Sequence, residues 1–447
     1  MFFLDTVLLM HDVISELILD FHGRSLPKLT PRAAKLARIP GKIDVVVGMR
    51  RTGKTYFCYQ TMQELLDAGV PQTRILYLNF EDERLLPLTV ENLRAIPDAY
   101  YRLYPDHKNC ECWFFFDELQ RINGWELFCR RLLDSENIRM VLTGSSARLL
   151  STEIATTLRG RSLTTEIFPY DFREYLRAHG LPHTGNEQVD STTRAHLEKA
   201  STDYIFAGGF PEVQSQRDEV AREILQQYVD LVLFRDVVER HRVSNTVALR
   251  QLLRQILGAV GNRFSVTKFY HTLRSQGVSC TKHTLYEHLD QLSDAYLLYQ
   301  TPIHSRSEKA RVVNPRKLYV VDSGLAAKSS LYGRQDYGAL LENTVFMHLR
   351  RQKHQIAYLV NSDGTEVDFI TTSREGVRRL LQVSWSVADA DTWEREQRAL
   401  TKAMTELGVG QATVVTAVDP AREVSTECGT IHIVPAWRWL ITRCNAE

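Results

Sequence analysis

A phosphate-binding loop is the clearest chemical pattern in the sequence. Gly48 is followed by four residues and then by Gly53, Lys54 and Thr55, directly after the apolar stretch 43–47 and before a predicted helix at 55–68. In such a loop, glycines let backbone N–H groups turn towards phosphate oxygens, and the helix start adds positive potential. The lysine reaches the terminal phosphates and the threonine hydroxyl binds Mg²⁺. The pattern therefore favours a nucleoside triphosphate site over a plain glycine-rich turn. The residues predicted to line it are Gly48, Arg51, Thr52, Gly53, Lys54, Thr55 and Tyr56.

An acidic pair follows a second apolar stretch. Residues 113–118 read WFFFDE, which predicts a buried strand with Asp117 and Glu118 at its carboxyl end. Open parallel sheets bind their ligands at that end of the strands. Asp117 is expected to support Mg²⁺ through water, and Glu118 is expected to orient and deprotonate an attacking water molecule. The alternative is that the pair only begins the next helix.

A third predicted strand at 140–142 ends in residues with hydroxyl groups. These polar residues are Thr143, Ser145 and Ser146, with Gly144 between them. One of the hydroxyls can bridge the γ-phosphate and the attacking water, and Ser145 is our candidate. Ser146 can equally serve only as the N-cap of the helix predicted at 147–158. That helix runs into Arg159 and Arg161.

The ordered motifs resemble a known family. The segments are GMRRTGKTY, FFFDELQ, TGSSARLLSTEIATTLRGR, GGFPEV and KLYVVDSGL. Together they resemble the bacterial and archaeal AAA+ ATPases that carry a C-terminal domain related to restriction endonucleases. The resemblance covers the chain from about residue 41 and implies ATP and Mg²⁺ as cofactors. It also implies that Arg159 or Arg161 acts on the ATP of a neighbouring subunit, so we expect a homo-oligomer such as a hexameric ring.

Length and composition predict a modular, soluble globular protein, and the P-loop motifs with the AAA+ resemblance imply an α/β fold. The chain has 447 residues, which is more than one ordinary hydrophobic core accommodates. Hydrophobic residues make up 44% of it and charged residues 24%, as is typical of a soluble globular protein. Acidic residues interrupt the apolar N-terminus, so we expect a helix and no membrane span. Seven scattered cysteines favour a reducing, cytoplasmic location. The predicted parts are an N-terminal helical segment (1–40), a P-loop AAA+ core (41–175), a helical lid (176–240), a winged helix-turn-helix (241–330) and a restriction-endonuclease-like domain (331–447).

A basic segment interrupts an otherwise neutral chain. Residues 241–317 contain 12 lysine and arginine residues against 4 aspartate and glutamate residues, whereas the whole chain has a net charge of +1. Three predicted helices and a predicted hairpin within 303–322 are typical of a winged helix-turn-helix. We therefore expect binding to DNA, duplex or branched, with protein docking as the alternative. The predicted DNA-binding residues are Lys282 and His283 at the start of the third helix, and Arg306, Lys309 and Arg311 on the wing.

The C-terminal region resembles a nuclease that has lost part of its chemistry. The resemblance to restriction endonucleases assigns the acids of the site to Glu342 on a helix and Asp368 on a strand. Gln382 and Ser384 stand where such enzymes have glutamate and lysine. Losing these groups removes a metal ligand and a cation. We therefore expect a degenerate domain that serves packing, DNA contact or assembly.

Three functions remain open from the sequence. The preferred one is an oligomeric ATPase that binds or remodels DNA, by analogy with AAA+ branch-migration motors. The second is a nucleotide-gated switch or scaffold with slow turnover, and the third is an ATP-regulated nuclease. No feature of the sequence identifies a protein client.

Overall fold

The structure is a computed structural model, and it describes residues 2–145, 160–182, 189–329, 336–373 and 375–442. The chain forms two compact units, Met1–Ile167 with Asp294–Tyr296 and Phe168–Ser293 with Leu297–Glu447. The predicted division into five parts stays a prediction. Within the described ranges, no helix has both the length and the apolar character needed to cross a membrane.

A parallel sheet forms the centre of the first unit. Its strands are β1 (Ile43–Val47), β2 (Ile75–Asn79), β3 (Cys112–Asp117), β4 (Ile138–Gly144) and β5 (Ser162–Glu166). They lie in the order β2-β3-β4-β1-β5, and every neighbouring pair is parallel. Every residue of β1 and β3 is buried, as continuous apolar runs predict for a sheet covered on both faces. The predicted α/β class with a parallel sheet is confirmed.

Helices cover this sheet and complete its core. They are α1 (Phe2–Gly23), α2 (Lys54–Asp67), α3 (Ala95–Leu103) and α4 (Trp125–Ser135). Phe57 and Met62 of α2 pack in one cluster with Val46 of β1, Phe115 of β3 and Phe21 of α1. The N-terminal helix therefore packs within the first unit, where Ile14 and Ile18 are fully buried.

The second unit begins with helices. These are α5 (Phe172–Ala178), α6 (Ser191–Ala207) and α7 (Asp218–Leu231), and α7 continues into a π-helical segment, Val232–Glu239. The buried face of α7 and of the segment that continues it includes Leu225, Tyr228 and Leu233, which are nearly inaccessible to solvent. The change from α to π geometry was not predicted from the 3.6-residue periodicity.

The GGFPEV motif lies against the VDSGL motif. The Gly209 N–H donates to Asp322 Oδ2 at 2.7 Å. Gly208 has φ +74°, and a Cβ there would lie 1.9 Å from Asp322 Oδ1. Glycine permits positive φ at both positions, but only Gly208 has it. Gly209 is needed for a different reason, because a Cβ there would lie 2.2 Å from the Tyr170 carbonyl oxygen.

Three helices and a small antiparallel sheet follow. The elements are α8 (Thr246–Leu257), β6 (Arg263–Phe264), α9 (Val266–Ser275), α10 (Lys282–Asp294), β7 (Leu298–Thr301), α11 (Glu308–Val313), β8 (Arg316–Val320) and α12 (Ser323–Ser329). The strand order is β6-β8-β7. The hairpin predicted within 303–322 is wrong in its first strand, which lies earlier, at β7. Residues 308–313 are instead helical because the Ser307 hydroxyl accepts a hydrogen bond from the Ala310 N–H and caps the helix.

A six-stranded mixed sheet ends the chain. Its elements are α13 (Tyr337–Arg351), β9 (Gln355–Val360), β10 (Glu366–Thr372), β11 (Arg378–Ser384), α14 (Ala390–Leu407), β12 (Gln411–Thr416), β13 (Arg422–Thr426), β14 (Gly429–Pro435) and α15 (Ala436–Ile441). The order is β13-β14-β12-β11-β10-β9. The amphipathic helix α14 packs Leu400 and Met404 on this sheet. A register shift between Val367 and Ile370 interrupts the pairing of β10 with β9.

Candidate functional site

The loop between β1 and α2 has the backbone of a phosphate-binding loop. Gly48 has φ +143°, and a Cβ there would lie 2.2 Å from the Ile167 carbonyl oxygen. Gly53, directly before α2, has φ +94°. Both positions therefore require glycine. The buried Lys54 side chain donates to the carbonyl oxygens of Gly48 at 3.1 Å and Met49 at 3.2 Å.

The threonine of the loop contacts the first residue of the acidic pair. Thr55 Oγ1 donates to Asp117 Oδ2 at 2.7 Å. The Tyr77 hydroxyl donates to the same carboxylate oxygen at 3.0 Å, and Thr143 Oγ1 donates to the other one. Asp117 is thus held by three hydroxyl groups. A threonine hydroxyl beside a fixed carboxylate matches the oxygen ligands that Mg²⁺ prefers.

The second acid lies beside the lysine. Glu118 Oε1 is 4.0 Å from Lys54 Nζ, and Glu118 occupies the left-handed region with φ +58°. Non-glycine residues in this conformation are uncommon and concentrate at functional sites. The Glu118 N–H donates to Thr143 Oγ1 at 3.0 Å, which fixes the backbone. Burial raises the pKa of the Glu118 carboxyl, although the Lys54 charge opposes that rise.

Three supporting residues, Tyr77, Gln120 and Arg32, were not found from the sequence, and Thr143 was named there only as one of the hydroxyl residues that end its strand. Gln120 donates its amide N–H to Glu118 Oε2, and Tyr77 and Thr143 hold Asp117. The buried Arg32 donates from Nη1 to the Thr52 carbonyl oxygen at 2.9 Å. Tyr77 could have been selected from its place on β2, the strand next to β3, since parallel strands bring their carboxyl ends to one edge. Nothing in the sequence singles out Arg32 or Gln120.

The other predicted residues of this site have different surroundings. Thr52 is fully buried and its hydroxyl donates to the Met49 carbonyl oxygen at 3.0 Å. Arg51 is exposed with φ +68°, and Tyr56 is 52% exposed at the start of α2. Ser145 is fully buried directly after β4. The predicted role of Ser145 at the γ-phosphate stays a prediction.

The predicted trans-acting arginines are only partly described. Arg161 is exposed and forms an ion pair with Asp134 of α4. Arg159, Ser146 and the helix predicted at 147–158 lie outside the described residues. The action of Arg159 or Arg161 on the ATP of a neighbouring subunit stays a prediction.

The predicted DNA-binding residues are all exposed, at two places. Lys282 and His283 lie at the beginning of α10, with the Lys282 ammonium 5.7 Å from the centre of the Tyr270 ring. Arg306, Lys309 and Arg311 lie in the connection between β7 and β8. Lys309 and Arg311 belong to the helix α11, which corrects their predicted place on an extended hairpin. Arg311 also pairs with Glu308 of its own helix.

Three of the four residues of the predicted degenerate nuclease site come together. Glu342 of α13 and Asp368 of β10 both accept hydrogen bonds from Lys317, and Gln382 of β11 accepts from the Asp368 N–H at 3.1 Å. Ser384 does not join them, because its hydroxyl donates to the Ser386 carbonyl oxygen at 2.8 Å. Lys317 was not predicted to contact these residues. Across the described ranges, no group of three or more histidine, cysteine, aspartate and glutamate residues is arranged to hold a metal ion.

A comparison with protein families finds an AAA domain in the region that forms most of the first unit. A family model described as an AAA domain matches residues 40–176, and a model described as a domain of unknown function (DUF8612) matches residues 198–336. Among solved structures, a Walker-type ATPase of Pyrococcus abyssi is similar at 15% identity over 68% of this chain and 99% of that chain, with a TM-score of 0.43. The Aeropyrum pernix ORC1 protein in complex with DNA is similar at 15% identity over 76% of this chain and 93% of that chain, with a TM-score of 0.29. At such low TM-scores, neither structure bears on function.

Two relatives are similar over most of their length. An uncharacterized protein of Methanocaldococcus jannaschii is 33% identical over 96% of this chain and 95% of that protein. An uncharacterized protein of Haemophilus influenzae is 30% identical over 78% of this chain and 83% of that protein. The chain therefore belongs to the same protein family as these archaeal and bacterial proteins, and it contains an AAA domain.

Proposed function

We propose that the protein is an oligomeric AAA+ ATPase that binds and hydrolyses ATP with Mg²⁺ and binds or remodels DNA. The observation that carries this proposal is the meeting of two distant motifs. Thr55 of the glycine-rich loop donates to Asp117 at 2.7 Å, and Lys54 of the same loop lies 4.0 Å from Glu118. These four groups are the ones that phosphoryl transfer to water requires.

Each residue has a separate part in this proposed chemistry. Lys54 and the backbone N–H groups of the loop would bind the phosphate oxygens, and Thr55 and Asp117 would hold the metal ion. Mg²⁺ supplies charge neutralisation at the phosphates when it is bound. Glu118 orients the attacking water and accepts its proton. The Asp117 carboxylate is already oriented by Tyr77 and Thr143, so the site is preorganised by its hydrogen bonds.

The test is an assay of Mg²⁺-dependent ATP binding and turnover. Wild type should bind ATP with Mg²⁺ and release phosphate, and Lys54→Ala should lose both activities. Lys42→Ala is a matched control, since Lys42 is a half-buried lysine outside the loop that donates to the Gly160 carbonyl oxygen. Absence of Mg²⁺-dependent ATP affinity in wild type would refute the proposal.

Subunit assembly is part of the proposal. An arginine that stabilises charge on a neighbour's γ-phosphate needs access across a subunit boundary. The side chain of Arg161 is 44% exposed and pairs with Asp134, which is itself 49% exposed, so an intersubunit contact can replace the pair. Mixing Arg161→Ala with Lys54→Ala should restore part of the activity, because some interfaces then combine an intact loop with an intact arginine. The same mixture with Arg159→Ala decides between the two arginines.

The DNA-binding part rests on charge and on the arrangement of elements. Three helices and a sheet of order β6-β8-β7 support the winged helix-turn-helix interpretation. Its exposed cations, Lys282 and Arg306, suit contacts with phosphates, whose strength falls with salt. We expect Lys282→Glu and Arg306→Glu to weaken DNA binding and flatten its salt dependence in fluorescence anisotropy. Lys199→Glu, an exposed lysine of α6, is the control, and unchanged binding in the first two variants would place the DNA site elsewhere.

A nucleotide-gated switch is a second candidate with an observation of its own. The Gln120 amide donates to the Glu118 carboxylate and so competes with a water molecule for the proposed base. A base held this way favours slow turnover unless a partner moves Gln120. Turnover that several DNA substrates raise several-fold supports the motor, whereas turnover that no DNA changes supports the switch.

The C-terminal domain is proposed to be a degenerate restriction-endonuclease-like domain. Asp368 and Glu342, which a nuclease would use for metal binding, accept hydrogen bonds from Lys317. We therefore place an ATP-regulated nuclease behind the other two candidates. Strand cleavage that requires metal and is lost in Asp368→Ala would reverse that order.

A further inference from the structure

A buried lysine lies among three carboxylates in the second unit. Lys317 Nζ is 2.9 Å from Glu342 Oε1, 2.8 Å from Glu366 Oε1 and 2.8 Å from Asp368 Oδ1. The lysine side chain is 4% exposed. The ammonium donates hydrogen bonds to Glu342 Oε1 and Asp368 Oδ1, and Glu366 completes the cluster as an ion pair. The three carboxylates account for the burial of this lysine, because lysines are almost never fully buried unless they are paired.

The regular spacing of two sheets produces the cluster. Arg263 and Lys317 are direct cross-strand partners of β6 and β8, so their side chains lie on one face. Glu366 and Asp368 are two residues apart on β10 and therefore share a face as well. Arg263 Nε contacts Glu366 Oε2 at 2.8 Å. A pair of cations on the three-stranded sheet thus faces a pair of acids on the six-stranded sheet.

Two further groups donate hydrogen bonds to carboxylates of the cluster. The Tyr319 hydroxyl donates to Glu342 Oε1 at 2.7 Å, and the Val383 N–H donates to Asp368 Oδ2 at 3.0 Å. Burial raises the pKa of Glu342 to about 8, and the nearby Asp368 charge adds to the rise. The Lys317 charge opposes that rise in pKa and so favours the carboxylate form of Glu342.

We propose that the three carboxylates form a cation pocket whose cation is the chain's own Lys317 ammonium, and that this contact locks the three-stranded sheet to the six-stranded sheet. The pocket is a binding site that is permanently filled from within. Because the contact joins the two sheets, the basic segment at 241–317 and the C-terminal domain then move as one body. The contact does not depend on ATP binding, so this proposal can be refuted or supported independently of the proposed function.

The experiment is chemical rescue of Lys317→Ala in the full-length chain. Removing one partner of a buried ion pair leaves uncompensated charge, so the melting temperature should fall by more than about 5 °C. Ethylammonium chloride should restore at least half of that loss, whereas sodium chloride and ethanol at equal concentration should not. Rescue should disappear in Lys317→Ala combined with Asp368→Asn, where the pocket has lost an anion.

A second variant keeps the test decisive if Lys317→Ala does not fold. Lys317→Gln retains hydrogen-bond donors without the charge, and its lower melting temperature should rise again when Asp368→Asn is added. Lys328→Met is the matched control, since Lys328 is also buried but pairs with Asp218, which is 70% exposed. Equal rescue by ethanol would indicate an apolar cavity and overturn the proposal. A melting temperature unchanged in both Lys317 variants would overturn it as well.

Discussion

Replacing Glu118 with glutamine should separate ATP hydrolysis from ATP binding. Glutamine has nearly the same shape as glutamate but cannot accept a proton from water. General-base catalysis typically contributes about 10²–10⁴-fold to a rate, which corresponds to roughly 3–5 kcal/mol of activation free energy. We therefore expect kcat to fall by at least about 100-fold.

The same substitution should tighten ATP binding. Glu118 Oε1 lies 4.0 Å from Lys54 Nζ, so this carboxylate competes with phosphate for the ammonium. At that separation, the attraction between unit charges is about 1 kcal/mol in water and about 4 kcal/mol at an effective dielectric constant of ~20. Without the carboxylate, Lys54 can contact the phosphates without this competition. The binding free energy of ATP should therefore become more favourable by an amount between these two values. Even the lower limit is about a fivefold gain in affinity.

Steady-state phosphate release and equilibrium binding of a fluorescent ATP analogue measure the two effects separately. The exposed glutamate Glu83 offers a matched control, because Glu83→Gln removes the same charge from the surface of the same unit. A Glu118→Gln variant that keeps more than a tenth of the wild-type kcat would show that another group is the base. ATP binding weakened by Glu118→Gln would refute the competition between Glu118 and phosphate for Lys54.

Three further predictions concern positions that hold the two units in shape. Gly208→Ala should lower the melting temperature more than Gly180→Ala, because both glycines have positive φ but only Gly208 would place a Cβ 1.9 Å from Asp322 Oδ1. Burial raises the Asp322 pKa from 3.8 to about 6, so wild type should lose about 3 kcal/mol of stability as pH rises through that interval. Urea unfolding at pH 4 and pH 7 measures this effect: the free energy of unfolding of Asp322→Asn minus that of wild type should be larger at pH 7 than at pH 4. The same difference at both pH values would contradict burial as the cause of the raised pKa. Arg32→Met should weaken ATP binding about tenfold by removing a charged hydrogen bond to the loop carbonyl, whereas exposed Lys28→Met should bind ATP as wild type does.

The nucleotide site was the most predictable part of the molecule because its motifs are local. The glycine pattern fixes the loop by itself, and the apolar runs before Gly48 and Asp117 predict the strands that carry them. The rule that ligands bind at the carboxyl ends of parallel strands then brings Thr55 and Asp117 to one edge. The 2.7 Å contact between these residues follows from those inferences.

The supporting contacts were unpredictable because they join residues that no pattern relates. Arg32 contacts a carbonyl oxygen 20 residues away, and backbone carbonyls have no sequence signature. The prediction of a hairpin within 303–322 was wrong for a different reason. Alternation of polar and apolar residues is weak in 303–313, and a single serine cap at Ser307 was enough to favour a helix.

Lys317 defines the limit of sequence interpretation most clearly. The resemblance to restriction endonucleases predicts that Ser384 stands where such an enzyme has its lysine, and this stays a prediction. A lysine from β8, 51 residues before Asp368 in the chain, nevertheless reaches the same carboxylates. Spacing within one domain could not reveal a side chain supplied by another sheet.

This contact also changes how the charge of the basic segment relates to DNA binding. The segment 241–317 has 12 basic and 4 acidic residues by sequence, yet Lys317 is buried among carboxylates, and Arg263, which is 45% exposed, pairs with Glu366. A buried, paired lysine cannot release counterions from a phosphate backbone, where each contact contributes about 0.9 to the salt slope on duplex DNA. Arg311 is engaged further by Glu308. The salt dependence of DNA binding should therefore be smaller than the sequence charge implies, and Lys317→Gln should leave the slope unchanged while Lys282→Glu lowers it.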